Sequence, residues 1–128
     1  MAQTQLPHDA KAGPTKPEVR AVVLAKLDLG SGDHFAEVGS CTGAVTIEAA
    51  RRAGRVTALE RKPGRAETTR KNLAANSIPL ASSREGPGPA TDGGTVPENT
   101  PGSGDHTDVE VRVAEAPDGL PEDADALF

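Results

Sequence analysis

The stretch from Phe35 to Glu60 constrains the fold more than any other part of the chain. Phe35, Ala36 and Val38 form a short apolar run, Gly39-Ser40-Cys41-Thr42-Gly43 is a turn of small residues, and Ala44 to about Arg52 has helical patterning. A second apolar run, Val56-Thr57-Ala58-Leu59, follows and ends in Glu60. Parallel strands need a crossover, commonly a helix. The order therefore predicts an α/β unit in which a strand opens through glycines into a helix. Such an opening is expected to offer unpaired backbone N–H groups and the positive end of the helix dipole to an anionic ligand group. Glycine lets the backbone approach that ligand closely. An acid at the end of the second strand suits the two hydroxyls of a ribose. These features together predict a nucleoside cofactor; the plainer reading is an ordinary strand-to-helix loop.

The flanking sequence extends this unit on both sides. Residues 1–12 are polar and aperiodic and read as a flexible lead-in. Thr15-Lys16-Pro17-Glu18 has the form of a capping box, in which the Thr15 hydroxyl accepts from the Glu18 N–H. It predicts an amphipathic helix from about Lys16 to Leu27, with Val19, Val23 and Leu27 on the apolar face and Val22 and Leu24 widening it. Glu37 falls at the carboxyl end of the first strand, the ligand edge of an open α/β sheet. Pro63 suits the start of a helix running to about Ala75. Ala66, Leu73 and the stem of Arg70 form its weak apolar side, and Asn76 is the expected left-handed cap. Pro and Gly make up about a third of residues 79–108, a composition that predicts a disordered insertion. Val109 to Val113 alternates as a strand should. Asp123 to Phe128 resembles the start of a fourth strand, so the expectation is a sheet truncated at its C-terminus. Residues 13–128 then form the N-terminal part of a single domain.

Bulk properties exclude several functions. The 128 residues fit one domain, and with 35% hydrophobic residues and no Trp or Tyr any core is aliphatic. The net charge of −5 lacks the basic footprint of nucleic-acid binding. A single cysteine excludes an internal disulfide and suits a reducing compartment. No apolar run is long enough to span a bilayer. The expected location is cytoplasmic, with no membrane partner; the acidic balance argues against a nucleic-acid partner without excluding a local basic patch.

Spacing selects among cofactors. The dinucleotide fingerprint needs glycines at its first, third and sixth places, which here hold Gly39, Cys41 and Ala44. Glycines stand instead at the first and fifth places, Gly39 and Gly43, with Glu37 two residues ahead. This resembles motif I of the class I S-adenosylmethionine-dependent methyltransferases, with Cys41 where that family usually has the middle glycine. Five further segments make the chain similar to the branch that contains the decarboxylating precorrin or cobalt-precorrin C15 methyltransferases. They are Gly13-Pro14-Thr15-Lys16-Pro17-Glu18-Val19-Arg20-Ala21, Gly54 to Pro63 with Lys71-Asn72-Leu73, and Glu115-Ala116-Pro117 with Asp125-Ala126-Leu127-Phe128.

The resemblance implies a Rossmann-like α/β sheet and S-adenosyl-L-methionine as cofactor. It places Gly39, Ser40, Cys41 and Gly43 under the methionine part and Glu60 on the ribose hydroxyls. Glu115 and Ala116 would flank the adenine. Glu37 would orient the cofactor's amino group, and Thr15 and Lys16 would lie near the cofactor mouth. The implied reaction is C-methylation of a reduced tetrapyrrole with loss of CO2 from an acetate side chain, in cobalamin biosynthesis. The implied partners are that tetrapyrrole and other copies of the chain, since the family tends to form homo-oligomers. No metal and no catalytic triad is required, because the sulfonium methyl is already electrophilic and the enzyme mainly aligns donor and acceptor. Two alternatives stay open: another class I methyltransferase acting on RNA or a protein carboxyl group, and a non-catalytic cofactor-binding fragment. Cys41 reads as a small turn residue, since no His base adjoins it. His8, His34 and His106 lack ligand spacing, and the Arg51-Arg52 and Arg61-Lys62 pairs read as solvated faces.

Overall fold

The computed structural model describes residues 3–11, 13–81 and 107–128. Seven elements follow in order: α1 (Pro17–Leu27), β1 (His34–Val38), α2 (Ala44–Ala50), β2 (Arg55–Glu60), α3 (Pro63–Ala75), β3 (Asp108–Val113) and β4 (Ala126–Leu127). The four strands make one parallel sheet in the order β3-β2-β1-β4. Phe35 pairs with Val56 and Val38 with Leu59, and Val56 to Glu60 pairs with Val109 to Val113. The chain thus builds outward from β1 to β3, then returns to the far side of β1 for β4. That reversal is a topological switch point, and ligands of open α/β sheets bind outside the carboxyl ends of strands near it.

Burial explains why β1 and β2 read as continuous apolar runs. Four of five β1 residues and five of six β2 residues are buried, as in a parallel strand covered on both faces. Phe35, Ile47, Val56, Leu73 and Val109 are fully buried in one cluster. Each such side chain contributes roughly 1.5–3 kcal/mol relative to exposure. Leu6, Leu27, Leu29, Ile78, Leu80 and Ala126 pack around it.

Four local expectations need correction. The capping box does not form: Lys16 is the N-cap of α1 and makes no side-chain cap bond. Pro17 takes the first helical position, where its missing N–H costs nothing. Thr15 therefore lies one residue too early, and its carbonyl accepts from the Arg20 guanidinium instead. The predicted face of α1 is also rotated. Val19 and Val22 are exposed, whereas Leu24 and Arg20 are buried. Arg20 tolerates burial because it pairs with Glu48 of α2. Asn76 caps α3 without adopting the left-handed conformation, which falls on Ser77. Helix α2 ends at Ala50, short of Arg52.

Within the lead-in, the Gln5 N–H donates to Asn76 Oδ1 at 2.8 Å and the His8 N–H to Asn72 Oδ1 at 2.9 Å. Of the expected insertion at 79–108, Leu80 bridges to Val109 and the Thr107 hydroxyl lies 2.7 Å from both the Ala50 and Ala53 carbonyls, sharing its one proton between them. Residues 82–106, His106 among them, lie outside the described residues. His34 is buried, with Nε2 bonded to the Thr57 hydroxyl at 2.8 Å. No described helix is long and apolar enough to cross a membrane.

Candidate functional site

A cleft of about 630 Å³ opens over the carboxyl ends of the strands, within the range of about 300–1,000 Å³ typical of small-ligand sites. Val38 and Gly39 close it from β1, Cys41 from the turn, and Leu59 and Glu60 from β2. Ala114, Glu115 and Ala116, just past β3, form one side, and Gly13 and Thr15 reach in from the lead segment. Arg61 and Arg65 complete the lining. Of the residues singled out in the sequence, Thr15, Gly39, Cys41, Glu60, Glu115 and Ala116 come together here. Glu37, Ser40 and Gly43 are absent from the wall.

Glu60 is the most buried ionisable group on the wall, at 4% exposure. One carboxylate oxygen accepts the Cys41 N–H and the other the Lys62 N–H, each at 3.1 Å. A carboxylate offers about four lone-pair positions, so two remain for donors entering the cleft. Gly39 has φ +79°, and a Cβ there would meet nothing within 4 Å. The bare backbone therefore leaves open space where a ligand can approach.

Four N–H groups of the turn are bonded within the protein. The Gly39 and Ser40 N–H groups both donate to the Leu59 carbonyl, the Cys41 N–H to Glu60 and the Gly43 N–H to the Ser40 carbonyl. These four donors are spent within the protein and are not available to an anion. The reason is proximity: Leu59 and Glu60 at the end of β2 supply acceptors that the turn folds onto. With Glu60 and Glu115 on the wall, the cleft instead suits hydroxyl donors and a cationic group. Arg61 and Arg65 hold positive charge to one side.

Ser40, Gly43 and Glu37 form the support behind the wall. The Ser40 hydroxyl meets the Thr69 hydroxyl at 2.8 Å, and the Thr69 hydroxyl is within 2.7 Å of the Cys41 carbonyl. Gly43 has φ +84°, and a Cβ there would press on Thr69 Cγ2 at 3.1 Å. Only glycine holds that conformation without strain in so tight a place. Glu37 is 3% exposed and accepts from the Thr46 hydroxyl of α2. Burial pushes its pKa up to about 7; the Thr46 hydrogen bond opposes the rise and the nearby Glu60 charge adds to it. Among the described residues no group of His, Cys, Asp and Glu could hold a metal ion.

Sequence reasoning missed Arg61 and Arg65 as wall residues, and Asn72 and Thr69 as buried supports. The helical period places Thr69, Asn72 and Leu73 on the side of Ala66, so the pattern held a usable signal for the supports. A charged pair after a strand end held none for Arg61.

Residues 6–100 match the family model described as a precorrin methyltransferase domain. The whole chain is 62% identical to 54% of a Halobacterium salinarum protein named "Probable cobalt-precorrin-6B C(15)-methyltransferase (decarboxylating)". A crystal structure of precorrin-6y C5,15-methyltransferase from Geobacter metallireducens superposes with a TM-score of 0.65 at 30% identity, over 94% of this chain and 50% of that one. An RNA methyltransferase from Salinibacter ruber in complex with S-adenosyl-L-homocysteine superposes with a TM-score of 0.62 at 21% identity, over 89% of this chain and 57% of that one. This last likeness is one of fold. The chain spans about half the length of the Halobacterium relative.

Proposed function

The chain belongs to the precorrin methyltransferase domain family, and on that premise we propose that its cleft binds S-adenosyl-L-methionine. The corresponding whole protein would then methylate a precorrin-type tetrapyrrole at C15 with decarboxylation. The observation that carries the cofactor reading is Glu60: a buried carboxylate, half satisfied by backbone N–H groups, with its remaining capacity at the cleft wall.

The cofactor supplies an electrophilic methyl on a sulfonium, so the protein's task is alignment. Glu60 accepts the ribose hydroxyls. Gly39 and Cys41 let the backbone run beside the methionine part, and Ser40 and Gly43 shape the turn from behind. Glu115 and Ala116 border the adenine, and Thr15 closes the lead-segment side. Glu37 makes no direct contact in this arrangement; its carboxyl ties β1 to α2 through Thr46. The tetrapyrrole's carboxylates call for Arg or Lys partners, and Arg61 and Arg65 are the cations on this wall. The proposed setting is the cytoplasm, in cobalamin biosynthesis.

Calorimetric titration tests this reading against a dinucleotide. S-adenosylhomocysteine is expected to bind the folded chain and NAD to give no heat, because the turn lacks the dinucleotide glycine spacing and its Gly39, Ser40, Cys41 and Gly43 N–H groups are already bonded within the protein. NAD binding in place of S-adenosylhomocysteine would overturn the proposal.

A further inference from the structure

The segment leading to the cleft is anchored at both ends, and one buried amide ties it to the glycine turn. Asn72 of α3 is fully buried. Its Oδ1 accepts the His8 N–H at 2.9 Å, and its Nδ2 donates to the His8 carbonyl at 2.7 Å. The same Nδ2 donates to the Thr42 carbonyl, within the glycine turn, at 2.7 Å. One helical turn later Asn76 repeats the pairing on Gln5, accepting its N–H at 2.8 Å and donating to its carbonyl at 2.6 Å. Leu6, between the two pairings, packs on the core. At the other end Arg20 holds the Thr15 carbonyl while pairing with Glu48. Gly13 and Thr15, between these anchors, belong to the cleft wall.

The geometry has a simple physical content. A side-chain amide that engages both polar groups of one backbone residue makes the two bonds a neighbouring strand would make. Residues four apart on a helix share a face, so α3 gives the lead segment a short ladder to dock on. Asn72 is the shared member. Its three bonds serve the lead segment and the turn together, and a buried amide is costly to leave unpaired.

We propose that residues 5–11 and 13–15 act as a strap over the cofactor cleft, with Asn72 as the positioning residue that couples strap closure to the conformation of the Gly39–Gly43 turn. The proposal rests on the cofactor reading above. Asn72 touches no ligand; it acts through His8 and Thr42. A ligand that contacts both the Gly13–Thr15 end and the turn favours the closed strap, and by linkage strap closure favours the ligand. Apparent affinity then scales with the fraction of molecules whose strap is closed.

Hydrogen–deuterium exchange on residues 3–11 of the full chain, with and without saturating S-adenosylhomocysteine, tests this alongside calorimetry. Gln5 and His8 are not wall residues, so ligand-induced protection there reports the strap and not direct contact. In the unaltered chain the ligand is expected to slow exchange in this segment. Asn72→Leu, similar in size but without polar atoms, is expected to weaken binding about tenfold through the loss of closed molecules and to abolish the protection. Leu6→Ser loosens the strap from its own side, without altering α3 or the turn, and is expected to lose protection and a few-fold in affinity. It carries the test if Asn72→Leu fails to fold by circular dichroism. Binding without protection of residues 3–11, or a Leu6→Ser chain that is bound and protected like the original, would overturn the strap. An unaltered chain that binds no S-adenosylhomocysteine overturns the cofactor reading and the strap's role with it, a result distinct from binding without protection.

Discussion

Glu37 and Glu60 stand at the carboxyl ends of neighbouring parallel strands, and both are nearly buried, at 3% and 4% exposure. Their surroundings differ. Glu37 turns to the Thr46 hydroxyl of α2, behind the glycine turn. Desolvation outweighs that bond and pushes its pKa up to about 7. Glu60 faces the cleft and takes two backbone N–H groups, one on each oxygen. Burial and strand position therefore do not decide a carboxylate's use. The partners its oxygens already have, and the direction they face, decide it.

The largest effect expected from breaking this pair is on ligand binding. Glu60→Ala removes the acceptors for the ribose hydroxyls and also frees the Cys41 and Lys62 N–H groups. Hydrogen bonds to a charged group are worth about 1.5–3 kcal/mol each, so S-adenosylhomocysteine affinity should fall roughly a hundredfold or more by calorimetry. An unchanged affinity would remove Glu60 from the site.

Glu37 is expected to show itself in stability. Its folded pKa, about 7, lies above the ordinary 4.5. Between these values the folded chain holds the proton more tightly than the unfolded chain does. The contribution of Glu37 is therefore most favourable below about pH 4.5, falls as pH rises to about 7, and is level beyond. The full change is about 3 kcal/mol from the pKa difference. Urea unfolding between pH 4 and 8 should show this slope in the original chain and lose it in Glu37→Gln, with S-adenosylhomocysteine affinity retained. A variant with the same slope would place the titration on another group.

Thr46→Val sharpens the contrast from the helix side. Losing the hydroxyl donor should cost about 1 kcal/mol of stability and move the Glu37 carboxyl further up, as read by NMR titration. A downward movement would mean that the hydroxyl does not favour the carboxylate.

The smallest effect is the coupling between the two acids. Because the Glu60 charge raises the Glu37 pKa, Glu60→Gln should lower it slightly in the same titration. No movement would make the two sites electrostatically independent.

Much of this molecule is legible in its local sequence. Pro17 and Pro63 occupy the first turns of α1 and α3 because a fixed φ and a missing N–H cost nothing there. The alternation of Val109 to Val113 and the apolar runs at 35–38 and 56–59 announce β3, β1 and β2, since side-chain period follows directly from backbone geometry. Gly39 and Gly43 mark the turn because left-handed φ values favour glycine. Family membership is also written in these segments.

What the tertiary structure decided is the destination of each polar group. Glu37 and Glu60 are alike as letters, yet only Glu60 faces the cleft. Arg61 reads as a solvated charge and lies on the wall, while Arg20 is buried against Glu48 across 28 positions. Asn72 meets His8 across 64 positions, and the Gly39, Ser40 and Cys41 N–H groups are consumed by β2. Element type is fixed by neighbours along the chain. Hydrogen-bond partners are fixed by which elements pack together, and burial forces each polar group to find a partner across that distance.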